Sequence, residues 1–271
     1  MASALLADLR PPIRASHLSS DLLVLWQHPE SREIAPIGRL THHGSDFAFS
    51  YTQAAAQIQG FRVLPGLPDL RRSYRSAEIP LVFGQRVLAR SRPDYASYIR
   101  SLGLDPEDAT PWEQIVSSGG HREGDTLQFL VVPEVRGGNA RVTFLANGVR
   151  HIPDGELRFD GRSERVSRDR QERELVALHE SDTLRVVPED ENAHDANACL
   201  IVAGATPVAW VPRFLAPSFR GLLEGGDVSV RVERVGAREG SPHLRLTLEL
   251  DHPAPEGFAF DRDGLWAPLS A

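Results

Sequence analysis

Apolar and polar residues along this chain fall into two rhythms. Residues 22–26 (LLVLW) form an unbroken apolar run, and residues 37–40 form another after Pro36. Asp46–Tyr51 (DFAFSY) alternates, with Phe47, Phe49 and Tyr51 on one side. Both patterns predict strands. Residues 54–60 predict a short helical turn or loop, and 64–70 (LPGLPDL) a Pro/Gly-punctuated loop. Helical spacing follows over 79–88 and 95–102, where Gly103 and Asp105-Pro106 mark one helix end and a new start that continues through 112–116. Ser117, Ser118, Gly119, Gly120 and Gly124 give residues 117–124 the composition of a linker between domains.

Beyond that segment, residues 126–132, 142–146, 184–187, 198–202 and 208–211 predict strands. Residues 154–171 are rich in Arg, Asp and Glu without clear periodicity, and read as an exposed loop or frayed helix. Residues 214–223 predict an amphipathic helix closed by Gly225-Gly226. Val228–Val235 and residues 244–250 alternate and pair as a hairpin. The expected fold class is α+β. A leader at 1–20 precedes an α+β module at 21–122, and a small β-rich barrel or open sheet with one helix follows at 123–255. Residues 256–271 read as a tail.

Composition narrows the functional classes. With 271 residues, 41% hydrophobic and 25% charged, the chain can bury sizeable cores. No apolar run approaches the roughly 18 residues that span a bilayer, and Asp8 with no basic n-region argues against a signal peptide. Cys199 is the single cysteine, which excludes disulfide frameworks and Cys-based zinc sites and fits a reducing cytoplasm. Every basic residue is Arg. Residues 1–122 carry a net charge of +1 and residues 123–271 one of −8. Proteins that grip duplex phosphates show a basic stripe, so any nucleic-acid contact here must be local.

The chemistry concentrates in residues 184–215. There NAHDANA (192–198) joins two apolar runs, and AWVPR (209–213) follows a turn. A polar knot between core strands can grip the end of a ligand. Asp195 and Asn197 also have a plain structural use, since Asx side chains hold turns by bonding nearby amides. Glu189, Asp190, Glu191 and Asp195 have donors suited to a divalent cation, yet clustered acids on a turn are usually solvated. Neither a metal nor a cofactor is expected. His42, His43 and His121 lack any partner spacing, and Cys199 in its apolar strand reads as core. Arg71, Arg72, Tyr74, Arg75, Arg86, Arg90 and Arg92 form an Arg-rich stretch with interleaved tyrosines. It reads as a solvated face, a surface for an acidic protein partner, or a nucleic-acid contact.

The second half resembles the HIRAN domain over about residues 140–250. The family's Gly-apolar-Arg-aromatic turn corresponds to Gly148-Val149-Arg150-His151, and its Asn-Pro-Tyr/His-Asp-x-Asn-Ala knot to residues 192–198. Its Gly-Tyr/His-apolar-Pro-Arg/Lys turn corresponds to residues 209–213. Ala193 stands for the usual Pro, Ala209 for Gly, and His151 and His194 for the Tyr of the eukaryotic module. The resemblance implies binding of the 3′ end of single-stranded DNA. Asp195 would accept from the 3′-hydroxyl, and His151 and His194 would stack or hydrogen-bond, with Trp210 completing the aromatic set. Arg150 and Arg213 would hold phosphate, and Asn197 would complete the knot.

Residues 22–104 resemble the N-terminal subdomain of HipA-type kinases through LLVLW, IGRL (37–40) and DFAFSY, with no kinase core downstream. That resemblance implies docking to a HipA-type kinase or another protein partner. Together the two imply a non-enzymatic two-module bacterial protein in toxin–antitoxin, DNA-repair or phage-defence systems. The alternative is an antitoxin-like protein-interaction factor without nucleic-acid binding. An unrecognised hydrolase has only scattered His and carboxylates behind it.

Overall fold

The structure, a computed structural model, describes residues 21–122 and 124–269; the leader expected over 1–20 lies outside the described residues. The class is α+β, dominated by sheet. Strands β1 (Asp21–Gln27), β2 (Ile34–His43), β3 (Asp46–Tyr51) and β4 (Tyr74–Ser76) form an antiparallel meander. Three short helices follow: α1 (Leu81–Gly84), α2 (Tyr95–Ser101) and α3 (Pro111–Ser118). The chain then returns as β5 (Leu127–Val131), which pairs antiparallel with β1, so the first sheet runs β4-β3-β2-β1-β5. A strand of the stretch expected as the second module thus completes the first sheet.

The remaining elements are β6 (Glu134–Arg136), β7 (Asn139–Leu145), the hairpin β8 (Leu157–Phe159) and β9 (Arg162–Glu164), α4 (Arg168–Ala177), β10 (Thr183–Pro188), β11 (Cys199–Ala203), β12 (Thr206–Trp210), α5 (Ala216–Leu223), β13 (Val228–Val235) and β14 (Leu246–Pro253). The second sheet is ordered β12-β11-β10-β13-β14-β7-β6. Asn147, just past β7, bridges Trp210 at the end of β12: each amide donates to the other's carbonyl, at 2.8 and 2.9 Å. That bridge closes the sheet into a barrel, with β6 as an outer flap. Two helices, not one, accompany it. The polar stretch 154–171 supplies the β8–β9 hairpin and the start of α4, whose first turn Ser167 caps by accepting from the Arg170 amide at 3.3 Å. Sparse apolar content hid that helix, because only Gln171 and Leu175 turn inward.

The run LLVLW is apolar throughout because β1 is buried on both faces. Successive side chains point to opposite sides of a strand. Leu22 and Val24 enter a core with Ile37, Phe49, Phe83 and Trp112. Leu23 and Leu25 enter the core of the second sheet, with Leu130, Phe144, Phe219 and Leu248. The two halves therefore share a wall. The first half of the segment expected as a linker, residues 117–120, is packed: the Gly119 carbonyl accepts from the Phe129 amide at 2.9 Å, and a Cβ on Gly120 (φ 58°) would overlap the Phe129 ring. The last described residues cross back to the first sheet. The Gln53 amide donates to the Ala267 carbonyl at 2.9 Å and the Leu269 amide to Tyr51 at 2.7 Å, while Phe258 and Trp266 cover the shared core. Among the described residues no helix is long and apolar enough to cross a membrane.

A second contact joins the halves. Arg234 on β13 donates to the Ser101 carbonyl at the end of α2 and to the Thr247 hydroxyl. Burial pushes its guanidinium down to about 10. Beside it the rings of His121 and His243 lie 4.2 Å apart, and Ser241 Oγ is within 2.7 Å of His243 Nδ1. Burial, with smaller contributions from His121 and Arg234, pushes the His243 imidazole down from 6.5 to about 4.

Two outcomes follow. Leu23→Ala should cost about 2–5 kcal/mol, and urea unfolding followed by far-UV dichroism should stay a single transition, because β1 serves both cores; two separated transitions would show independent halves. For His243, the unfolded chain binds the extra proton between about 4 and 6.5, so native stability is full above that window and falls as pH drops through it. Melting temperatures against pH should show this decline, and His243→Gln should flatten it.

Candidate functional site

The seam that closes the barrel is also the floor of a groove of about 820 Å³. Two sequence features let the seam form. Gly148 has φ 67°, and a Cβ there would overlap the six-membered ring of Trp210, so glycine allows the chain to pass beneath the indole. Gln171 on α4 is buried, and its Nε2 donates to the Val149 carbonyl at 2.6 Å and the Val208 carbonyl at 2.9 Å, tying both sides of the seam to one amide. The turn Val149–Asp154 then presents His151 to the groove.

The opposite wall is the knot between β10 and β11. Asn192 Oδ1 accepts the amides of His194 and Asp195 at 2.8 and 3.0 Å, and Asp195 Oδ1 accepts the Asn197 amide at 2.9 Å. These are the Asx bonds expected of such residues. Arg220 on α5 supports the knot from behind through the carbonyls of Glu189, Asn197 and Ala198. Glu191 at the turn takes the left-handed region (φ 57°). Glu189 is 5% exposed, and its Oε2 accepts from Trp210 Nε1 and from Asn192 Nδ2, both at 2.6 Å. One buried carboxylate thus fixes both the indole and the knot.

The groove brings together His151, His194, Asp195, Trp210 and Arg213. Arg150 stands beside it: its Nε donates to His151 Nε2 at 2.9 Å, while His151 Nδ1 faces Asp154 Oδ2 at 2.9 Å. With Nε2 accepting from Arg150, Nδ1 is the ring nitrogen that faces the Asp154 carboxylate. Asn197 does not line the groove; its amide and carbonyl serve the knot. Arg213 reaches the first half, with its Nη1 at 3.5 Å from the Arg32 carbonyl in the β1–β2 turn. Glu189, Gly148, Gln171 and Arg220 lie outside the site set read from sequence. A Glu at the end of an apolar strand, three residues before the knot Asn, was the available signal.

The groove is acidic. Asp154, Glu156, Glu189, Asp190, Glu191 and Asp195 line it against Arg158 and Arg213. Several of these are engaged: Glu191 pairs with Arg158, Asp154 meets His151 and Arg168, and Glu189 is held as described. Among the described residues no hydrogen bond reaches Asp195 Oδ2. No group of three or more His, Cys, Asp or Glu among the described residues could hold a metal ion. Cys199 is buried in β11 at the foot of the knot, and burial pushes its thiol up to about 11, so it is a core residue with no nucleophilic character.

The Arg-rich stretch divides. Arg71, Arg72 and Arg75 are exposed around β4, with the Arg72 guanidinium over the Tyr74 ring at 5.4 Å. Arg86 is not part of that surface: its side chain is 3% exposed, pairs with Asp125 and donates to the Val82 carbonyl at 2.6 Å. Arg90 donates to the Ala109 carbonyl and Arg92 pairs with Asp94. None of these residues lines the groove. No family model, curated protein or solved structure matches this chain.

Glu189→Ala should leave the part-buried Trp210 N–H and Asn192 amide without their acceptor, costing about 1–3 kcal/mol in all. Urea denaturation checks the loss. Unchanged stability would mean that the carboxylate does not hold the indole.

Proposed function

We propose that this chain is a non-enzymatic binding protein whose groove receives the free 3′ end of a single-stranded nucleic acid. The half-engaged carboxylate of Asp195 carries the reading, because it shares one groove with the rings of His151, His194 and Trp210 and with Arg213. A terminal hydroxyl is the natural donor to that oxygen. Rings beside it can stack on a terminal base, which contributes roughly 1–3 kcal/mol per base without reading sequence. Arg213 and Arg150 offer planar forks to the phosphate that follows. The acid excess supports an end and opposes a track, since phosphates inside the groove would meet like charge.

The exposed Arg71, Arg72 and Arg75 suit an acidic surface on a protein partner, for which a HipA-type kinase is the proposal drawn from the sequence resemblance. The acidic lining also favours a second reading, an antitoxin-like interaction factor that takes a basic peptide in the groove and binds no nucleic acid.

Fluorescence anisotropy separates the two. Oligo(dT) with a free 3′-hydroxyl should bind at least about tenfold better than its 3′-phosphorylated counterpart, the scale of one charge-assisted hydrogen bond. Asp195→Ala should erase the difference. Equal or absent binding of both oligomers rejects end recognition.

A further inference from the structure

A second cavity, of about 590 Å³, lies between the two halves. Leu102, Val116 and Phe129 of the first half and Leu145 of the second give it apolar walls, and Arg234, His121 and His243 line it as well. A concave apolar surface with a few convergent polar groups at a domain interface is the usual form of a small-molecule site. Arg234 is the informative member. Among the described residues its hydrogen-bond partners are neutral oxygens, the Ser101 carbonyl and the Thr247 hydroxyl. Those bonds use two of the five donors of a guanidinium, and its charge meets no carboxylate, whereas buried charges are ordinarily paired.

The acids of the same cavity gather elsewhere. Glu233 and Glu249 both pair with Arg231. Burial, then Glu249 and to a smaller extent Glu180, pushes the Glu233 carboxyl up, so these three acids share the Arg231 end. The cations form a group of their own. Burial, then His121 and Arg234, holds the His243 imidazole down, and burial alone lowers the Arg234 guanidinium, with no carboxylate acting on either. The His121 and His243 rings lie 4.2 Å apart. We propose that this cleft binds a small phosphate monoester, its dianionic head on Arg234 and the His121–His243 pair and its organic body against the apolar wall. The guanidinium fork matches phosphate oxygens, and each imidazole can add one N–H donor. The head group supplies the counter-charge that the chain withholds from Arg234. This site is separate from the groove beside Trp210 and stands independently of the end-binding reading, although Asn147 and Arg213 border both cavities.

The test titrates the full chain at neutral pH with phenyl phosphate, inorganic phosphate and phenol, by calorimetry and by NMR of the histidine ring protons. Phenyl phosphate should bind about tenfold more tightly than inorganic phosphate, as burial of its ring implies. Phenol, which lacks the anion, should not bind. Both phosphates should shift the His243 ring signals. Arg234→Gln should weaken phenyl phosphate by at least about tenfold, the scale of a charge-assisted hydrogen bond, and His243→Gln by about fivefold. Far-UV dichroism checks that each variant folds. Should Arg234→Gln fail to fold, His243→Gln decides, because His243 is only partly buried. Equal affinity for the two phosphates overturns the organic body of the ligand. Absence of phosphate binding, binding that leaves the His243 signals unmoved, or unchanged affinity in either folded variant overturns the site itself.

Discussion

Two backbone hydrogen bonds between Asn147 and Trp210 hold the rest of this molecule's functional geometry in place. Among the described residues they are the ladder contact that joins β12 to the chain leaving β7, so without them the strands are a curved open sheet with an unpaired β12 edge. With them, the barrel closes and the turn carrying His151 is brought opposite the knot carrying Asp195. The constraint propagates outward. Closure at Asn147 requires the chain to leave under an indole, which requires Gly148. The indole N–H then needs an acceptor in a buried place, which Glu189 supplies, and the same carboxylate holds Asn192. A structural seam and a candidate site are one set of contacts.

The second organising fact is that β1 and β5 form a wall between two cores. A wall buried on both faces cannot carry polar alternation, and LLVLW has none. The β10 and β11 strands show the same behaviour. Leu184, Val186, Cys199 and Ile201 face the barrel core, whereas Val187, Leu200 and Val202 face Phe159 and Ile152 under the β8–β9 hairpin. Apolar runs in this chain therefore mark strands with cover on both sides. The closing segment from Phe258 to Leu269 reinforces the wall by running from the second sheet back to Tyr51 and Gln53.

This explains what the sequence could and could not convey. Strands and their class were legible because period two and unbroken apolar runs are local properties, and the β13–β14 pairing followed from adjacency. Partnering of β5 with β1 was not legible, since a hundred residues separate them and composition pointed to a break at SSGGHREG. Gly119 and Gly120 serve close packing against Phe129 instead. Among the residues expected at a site, His151, His194, Asp195, Trp210 and Arg213 line one groove. Asn197 and Arg150 play supporting parts, and Arg86 is consumed by Asp125. A buried partner such as Glu189 escapes sequence reading because its use depends on where a residue twenty-one positions away places its N–H.

The acidity of the groove bears on selectivity through how each carboxylate is occupied. The Glu189 carboxylate is held by two directed N–H donors, from Trp210 and Asn192, which stabilise its charge without neutralising it. Glu191 is matched by Arg158 at the surface, where the pair is screened. Asp190, Asp195 and Glu156 also line the groove, with Arg213 at the side nearest the first half. Under the proposed end-binding reading, this charge asymmetry would orient a ligand with its neutral, hydroxylated end inward and its anionic part toward Arg213. Orientation by charge asymmetry needs no basic stripe, so that reading is compatible with the acidity of the second half.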